Sequence, residues 1–220
     1  MSNINDKIRQ IAKETEPELI RIRRELHQYP ELGIDLPKTH EIISRELHKI
    51  PGLKIREHVA GGYGLIAELK GKKEHGKNVL LRADIDALPL EEKVESTYKS
   101  RHDGRMHACG HDMHTAMLLG AAKLLKTHED ELEGTVKLMF QPAEEIFEGS
   151  RDMIQAGLLQ NPVVDGALMI HVMAGMPFEA GTVIVSAPGV SAPAADYFEI
   201  RVQGTGCHGS MPYAGVDPLN

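Results

Sequence analysis

Short apolar segments alternate along this chain with segments of helical periodicity, and this alternation restricts the possible fold more than any other feature. The segments with the apolar character of strands are 64–69, 78–83, 135–140, 165–170, 181–186 and 197–202. Apolar residues recur at helical spacing in four stretches. These are 6–28, the stretch from Pro37 to Pro51, 111–127 and 150–157. Strands that alternate with helices predict an α/β fold, with a central mixed, largely parallel sheet flanked by helices.

The composition disfavours several classes of protein. A formal net charge of −7 argues against a nucleic-acid surface. No apolar run has the length that a membrane span needs, and the polar N-terminal segment does not resemble a secretory signal. Two cysteines, Cys109 and Cys207, do not imply a disulfide framework, so we expect reduced thiols and a cytoplasmic location.

The segment with the densest chemistry is 107–114, which places three imidazoles, a thiol and a carboxylate within eight residues. Two later segments supply complementary groups, because 141–145 contains the adjacent Glu144 and Glu145 and an imidazole ends the apolar run 165–170. Thiolate, imidazole and carboxylate groups are metal ligands when they are deprotonated. The candidate ligands of a hydrolytic metal centre are Cys109, His111, Glu145 and His171.

These groups share one kind of position, because each set follows a predicted strand or enters a predicted helix. Ligand sites of open α/β sheets lie at the carboxyl ends of the strands, so we expect the groups to converge there. The donors suit Zn²⁺, Mn²⁺, Co²⁺ or Ni²⁺, and a shared thiolate or carboxylate can bridge two such ions. A centre of this kind activates a water molecule. We expect Glu144 to act as its general base and Asp86 to orient a ligand.

Each of these residues has a simpler interpretation when it is considered alone. Cys109 is then a small core residue, Glu144 and Glu145 are an acidic surface pair, and His171 is a core histidine with hydrogen-bond partners. Another alternative makes Cys109 a nucleophile with His111 as its base. Their shared placement at strand ends favours the metal centre over these alternatives.

A stretch rich in Pro, Ala, Gly and Ser at 187–195 predicts a domain boundary. We expect 1–190 to be the N-terminal part of a metal-binding catalytic domain and 191–220 to be the beginning of a small α+β lid or dimerisation domain. Asp217 followed by Pro218 has the character of a helix start. The sequence therefore predicts that this chain is the first part of a longer protein.

Five motifs occur in order and resemble those of binuclear metallo-amidohydrolases and metallopeptidases, in the aminoacylase and hippurate-hydrolase branch. They are 24–33, 81–89, the Cys-Gly-His-Asp-Met-His segment at 109–114, 141–145 and the Gly-rich segment at 204–210. The resemblance implies a zinc-exopeptidase-like catalytic domain, two divalent metal ions and hydrolysis of N-acyl amino acids. It places the metal ligands on the four candidates above, the general base on Glu144 and the acidic residue after the strand on Asp86.

The resemblance also implies a homodimer in which His208, from the lid, reaches the active site of the partner subunit and stabilises the oxyanion or the substrate carboxylate. The fifth metal ligand of such enzymes has no counterpart in this chain, and Cys207 stands where a small residue is usual. Two hypotheses follow. The first is a metal-dependent amidohydrolase acting on a small N-acyl amino acid, with no nucleic-acid or membrane partner. The second is a truncated, non-catalytic chain that binds metal or pairs with a second chain carrying the missing half.

Overall fold

The computed structural model describes residues 4–73, 76–192 and 194–219. The chain divides into two compact units, with the border between Ala174 and Gly175. The C-terminal unit contains a short 3₁₀ helix, Pro212–Ala214, and an isolated bridge between Thr205 and Val216. The predicted domain boundary at 190/191 lies further along the chain and stays a prediction.

The helices of the N-terminal unit lie close to the predicted positions. They are α1 (Ile4–Gln28), α2 (Pro37–His48), α3 (His111–Thr127) and α4 (Gly149–Gln155). Proline at the first turn of α2 suits a position where no N–H is needed. In the part of the chain that the structure describes, no helix has both the length and the apolar character needed to cross a bilayer.

Within the described part of the chain, five strands form one mixed sheet in the order β1-β2-β4-β3-β5. They are β1 (Lys54–Val59), β2 (Gly64–Lys70), β3 (Val79–Asp84), β4 (Thr135–Gln141) and β5 (Gly166–Met169). The pairs β1–β2 and β2–β4 are antiparallel, whereas β3 is parallel to both β4 and β5. The predicted α/β fold with a mixed sheet flanked by helices is confirmed.

Alternate side chains of the central strands enter two separate cores, as the period of a strand requires. Leu138 and Phe140 of β4 pack with apolar residues of α1, α2 and α3, and neighbouring Met139 packs on the other side with Met153 of α4. Burying a Leu or Phe side chain completely stabilises the fold by roughly 1.5–3 kcal/mol. These two cores therefore hold helices on both faces and keep the strand ends in register.

The structure contradicts two of the predicted strands. No strand forms at 181–186 or 197–202, where Val183, Val185 and Phe198 are exposed. Apolar, β-branched segments form a strand only when a neighbouring strand accepts their backbone hydrogen bonds. In contrast, β1 was missed because it contains only two apolar residues, Ile55 and Val59, separated by charged ones. The helix predicted to start at Asp217 would include residue 220, which lies outside the described residues, and it stays a prediction.

The parallel strands bring the ends of three segments to one edge of the sheet. Asp84 at the end of β3 is paired in register with Gln141 at the end of β4, and β5 runs parallel on the other side of β3. The carboxyl ends of β3, β4 and β5 therefore face the same edge. The segments that follow them carry Asp86, the pair at 144–145 and His171.

Candidate metal centre

His111 is the first residue of α3 and is completely buried at the strand-end edge. Its Nδ1 lies 2.8 Å from the backbone carbonyl oxygen of Asp86. A carbonyl oxygen can only accept a hydrogen bond, so Nδ1 carries the proton and donates it. The other ring nitrogen, Nε2, is therefore left with a lone pair.

Three carboxylate groups surround this nitrogen. Nε2 of His111 lies 3.5 Å from an oxygen of Asp84, 3.7 Å from Oε1 of Glu145 and 3.8 Å from an oxygen of Glu144. Among the described residues, neither this Nε2 nor Oε1 of Glu145 has a hydrogen-bond partner, although both atoms are buried. Buried polar atoms without partners are costly, and a cation between them would satisfy both.

Cys109 and His171 form the other side of the cluster. The Sγ atom of Cys109 lies 3.3 Å from Nε2 of His171. Nδ1 of His171 donates to the carbonyl oxygen of Val172 at 2.6 Å, so Nε2 of this ring also has its lone pair available. A ring whose outer N–H is held by a carbonyl has the orientation usual for a metal ligand.

The predicted ligands therefore converge, as two groups that share His111. One group is Cys109, His111 and His171, and the other is His111, Glu144 and Glu145. Within each group one donor atom per residue lies within 4.8 Å of the others. Thiolate, imidazole and carboxylate donors fit borderline transition-metal ions such as zinc. Two adjacent groups with a common residue fit a pair of ions.

Asp86 holds the segment that carries the two glutamates. Its side chain is completely buried, and its two carboxylate oxygens each accept one backbone N–H, from Glu144 and from Glu145, both at 3.1 Å. Charged acceptors form the stronger class of hydrogen bond. Asp86 therefore orients the segment through its backbone and, through its carbonyl oxygen, the ring of His111.

A second supporting chain of contacts was not predicted. Asp84 accepts a hydrogen bond from Nδ1 of His114 at 2.6 Å, and Nε2 of His114 accepts the backbone N–H of Val172 at 2.9 Å. Both nitrogens of His114 are thus engaged, so this ring is not free to bind metal in the present arrangement. Instead it links the end of β3 to the backbone beside His171. Sequence position alone does not distinguish His114 from His111.

The electrostatics of the cluster reflect an excess of negative charge. Burial, together with the charge of Glu145 and Glu144, raises the pKa of the Cys109 thiol to about 12. Burial also raises the pKa of Glu145. For His111 burial acts in the opposite direction, but the hydrogen bond with Asp86 and the surrounding carboxylates raise its pKa. A divalent cation would reverse these trends and favour the thiolate.

Gly110 lies between the two predicted ligands of the 109–111 segment and precedes α3. It has a φ of +86°, in the left-handed region that favours glycine. A Cβ atom at this position would overlap Cγ2 of Val172. The absence of a side chain therefore allows the loop before α3 to approach the residues that follow β5.

His208 belongs to the C-terminal unit and is described there by itself. Its Nδ1 lies 2.8 Å from the hydroxyl of Ser210 and accepts the backbone N–H of the same residue at 3.2 Å. The ring is exposed, as is the free thiol of Cys207. The predicted role of His208 in a partner's active site stays a prediction.

Known proteins with similar sequences span roughly twice the length of this chain. N-acetyl-L-cysteine deacetylase from Bacillus subtilis (strain 168) is 44% identical over 204 residues, which are 93% of this chain and 47% of the relative. Thermostable carboxypeptidase 1 from Saccharolobus solfataricus is 39% identical over 216 residues, 97% of this chain and 53% of the relative. The chain therefore spans about half the length of these curated relatives.

A solved structure supports the fold. A dinuclear metal-binding peptidase of the M20 family from Bacillus subtilis is 42% identical, with a TM-score of 0.70 over 75% of this chain and 45% of that chain. The model of peptidase family M20/M25/M40 matches residues 80–213, a region that includes every predicted site residue. With the match covering more than half of its length, the chain belongs to peptidase family M20/M25/M40.

Proposed function

We propose that this protein is a metal-dependent hydrolase that cleaves the amide bond of N-acyl amino acids, with Glu144 as the general base. The proposal depends on one observation. Two buried atoms that could bind metal, Nε2 of His111 and Oε1 of Glu145, lie 3.7 Å apart without hydrogen-bond partners among the described residues. The name of the deacetylase relative supports the substrate class.

The ligands would hold two divalent ions, with zinc, manganese, cobalt and nickel as candidates. Cys109, His111 and His171 form one group of donors, and Glu145 joins His111 in the other. When bound, ions at these positions supply activation of a water molecule and polarisation of the amide carbonyl. The residues themselves supply the orientation, since carbonyl groups hold the outer nitrogens of both His111 and His171.

Glu144 and Glu145 are suited to different roles. The side chain of Glu144 is 33% exposed and that of Glu145 is 20% exposed. The backbone of both is fixed by Asp86, so the Glu144 carboxylate can be held in place without being a ligand. It would take a proton from the attacking water and transfer it to the nitrogen of the leaving amino acid, as the acyl group departs as a carboxylic acid.

The proposal includes a homodimer in the cytoplasm, with His208 contributing to the active site of the partner subunit. There it would stabilise the oxyanion or the carboxylate of the substrate. Replacing His208 by Ala should then lower kcat/KM while metal content stays unchanged. If His208→Ala is fully active, this part of the proposal fails.

The test is to assay hydrolysis of N-acetyl amino acids by the 220-residue chain, after removal of metal by a chelator and after its return. We expect activity to be lost with the metal and restored by at least one of the four candidate ions. An N-blocked dipeptide serves as the comparison substrate, because one relative is a carboxypeptidase. Activity that survives complete metal removal would contradict the proposal.

The alternative is a non-catalytic chain that binds metal or pairs with a second chain carrying the missing half. This alternative stays a candidate because the chain spans only about half the length of the two relatives. It predicts no hydrolysis by the chain alone, even with metal bound. It also predicts recovery of activity when the C-terminal half of a family member is added.

A further inference from the structure

A second cluster of possible metal ligands lies where α2 meets β1. It consists of His40 on α2 and of Glu57 and His58 on β1, and is called the α2–β1 triplet here. One donor atom from each of the three residues lies within 4.8 Å of the others. None of these residues belongs to the candidate centre at the strand ends.

The geometry of His40 leaves a lone pair facing a carboxylate. Its ring is buried, and Nδ1 lies 3.0 Å from the carbonyl oxygen of Tyr63. Nδ1 must therefore donate to that carbonyl. Nε2 then lies 3.2 Å from Oε2 of Glu57, so two acceptors face each other unless a proton or a metal cation lies between them.

His58 repeats this arrangement. Its Nδ1 lies 2.7 Å from the carbonyl oxygen of Gly62, which leaves Nε2 with an available lone pair. The rings of His40 and His58 stack with centroids 4.6 Å apart. His58 has a φ of +57°, an uncommon conformation for a residue with a side chain. Strained backbone of this kind is concentrated at functional sites.

Glu57 is also held in position through its second carboxylate oxygen. This oxygen, Oε1, accepts the hydroxyl of Ser44 on α2 at 2.9 Å. The carboxylate is therefore fixed with Oε2 directed to the imidazole of His40.

We propose that the α2–β1 triplet binds one zinc ion, through Nε2 of His40, Oε2 of Glu57 and Nε2 of His58. Two imidazoles and one carboxylate are a common zinc ligand set, with water at the fourth position. The outer groups that orient metal ligands are also in place, because Tyr63 and Gly62 accept from the rings and Ser44 donates to the carboxylate. The exposed ring of His58 provides the entry route for the ion.

This zinc ion would have a structural role. β1 is an edge strand of the sheet, paired only to β2 among the described strands, and its ladder is irregular between Arg56 and Val59. A zinc ion bound both by residues 57 and 58 and by α2 would connect the irregular end of β1 to a helix whose apolar face is in the core. Zinc should therefore stabilise the chain through this site as well as through the candidate centre.

The test is to strip the chain with a chelator, titrate it with Zn²⁺ alone, and count bound ions by equilibrium dialysis with elemental analysis. His58→Asn removes the imidazole and keeps a residue type that tolerates positive φ. Glu57→Gln removes the charge and keeps the shape. We expect each variant to bind one zinc fewer than the wild-type chain, or to bind it at least tenfold more weakly.

His48→Ala is the matched control. His48 is an exposed histidine of α2 whose ring lies 3.6 Å from Oε1 of Glu57, outside the triplet. It should keep the wild-type number of zinc ions, and His58→Asn should remove one ion equally in a Glu145→Gln background. The thermal unfolding midpoint of metal-free His58→Asn should equal that of the wild-type chain, which shows that the variant folds. Equal zinc stoichiometry and affinity in the wild type, His58→Asn and Glu57→Gln would overturn the proposal.

Discussion

Two buried clusters of charge in this chain differ in whether their charges are paired. Between α1 and α2, the completely buried carboxylate of Glu46 receives Lys49 at 2.6 Å, Arg21 at 2.9 Å and Arg45 at 3.1 Å. At the candidate centre, His111 and Glu145 are also inside the fold, but each leaves a buried atom without a partner. The first cluster is complete within the protein, and the second needs something from outside it.

The pKa values follow the same division. Burial opposes ionisation of Glu46, but its three cationic partners outweigh that effect and lower its pKa to about 2. At the centre, burial and neighbouring carboxylates act together and raise the pKa of Cys109 to about 12. The comparison teaches that buried charge alone does not mark a functional site. The absence of compensating charge distinguishes one.

Replacing Glu by Gln should lower activity at the candidate centre and lower stability in the cluster around Glu46. Glu144→Gln removes the proposed general base, so hydrolysis should fall by about 10²–10⁴-fold. Metal content and the free energy of unfolding should remain close to wild type, since Glu144 is not a proposed ligand. The measurements are steady-state kinetics, elemental analysis and urea unfolding. Full activity in Glu144→Gln would remove this residue from the mechanism.

Bound metal should raise the free energy of unfolding through the candidate centre and not through the cluster around Glu46 between α1 and α2. At a free concentration a hundredfold above Kd, one bound ion raises the free energy of unfolding by about 2.7 kcal/mol. Urea unfolding with and without Zn²⁺ measures this gain. Glu145→Gln should lose the part that belongs to the centre, whereas Glu46→Gln should keep all of it. An undiminished gain in Glu145→Gln would show that this carboxylate is not a ligand.

Glu46→Gln should destabilise the chain without any effect on metal binding. The change leaves three cations around a neutral amide, and the expected loss is about 2 kcal/mol, since Arg21 and Lys49 are half exposed and can turn to water. The control is Glu41→Gln, an exposed residue paired with Lys38, which should change stability by less than about 0.5 kcal/mol. Equal effects of the two substitutions would show that the buried ion cluster is not stabilising.

The contribution of Glu46 should also depend on pH in a defined direction. Its pKa is about 2 in the folded protein and 4.5 in an ordinary environment. The folded state therefore favours the ionised form, and the stabilisation is fully present above about pH 4.5 and declines as the pH falls towards 2. The difference in unfolding free energy between wild type and Glu46→Gln should shrink between pH 5 and pH 3. A difference independent of pH would contradict the low pKa.

Much of the fold follows from local sequence patterns, whereas the arrangement of the strands does not. The helices and the strands β2, β3 and β4 have clear periodicity, because their apolar residues enter the two cores at fixed spacing. The antiparallel insertion of β2 beside β4 depends on pairing between distant segments. Strands at 181–186 and 197–202 were predicted from apolar character alone. They do not form, because apolar character does not ensure that a neighbouring strand is present to accept their hydrogen bonds.

The closeness of the candidate ligands was predictable, because residues after the parallel strands β3, β4 and β5 reach one edge of the sheet. Their role as ligands stays a prediction. Their support was only partly predictable. An orienting role for Asp86 was expected, but its two bonds to backbone N–H groups were not. The link from Asp84 through His114 to Val172 depends on side-chain tautomers and on packing, which no spacing rule encodes.

Gly110 has a consequence for how this centre can vary. With no room for a Cβ beside Cγ2 of Val172, the main chain at residue 110 lies directly against the side chain of Val172, in the segment after β5. Cys109 and His171, whose Sγ and Nε2 atoms are 3.3 Å apart, each adjoin one of the two residues in this contact. Exchanging one donor type for another leaves this contact unchanged, whereas an added methyl group at residue 110 would strain the positive φ and would require the side chain of Val172 to move.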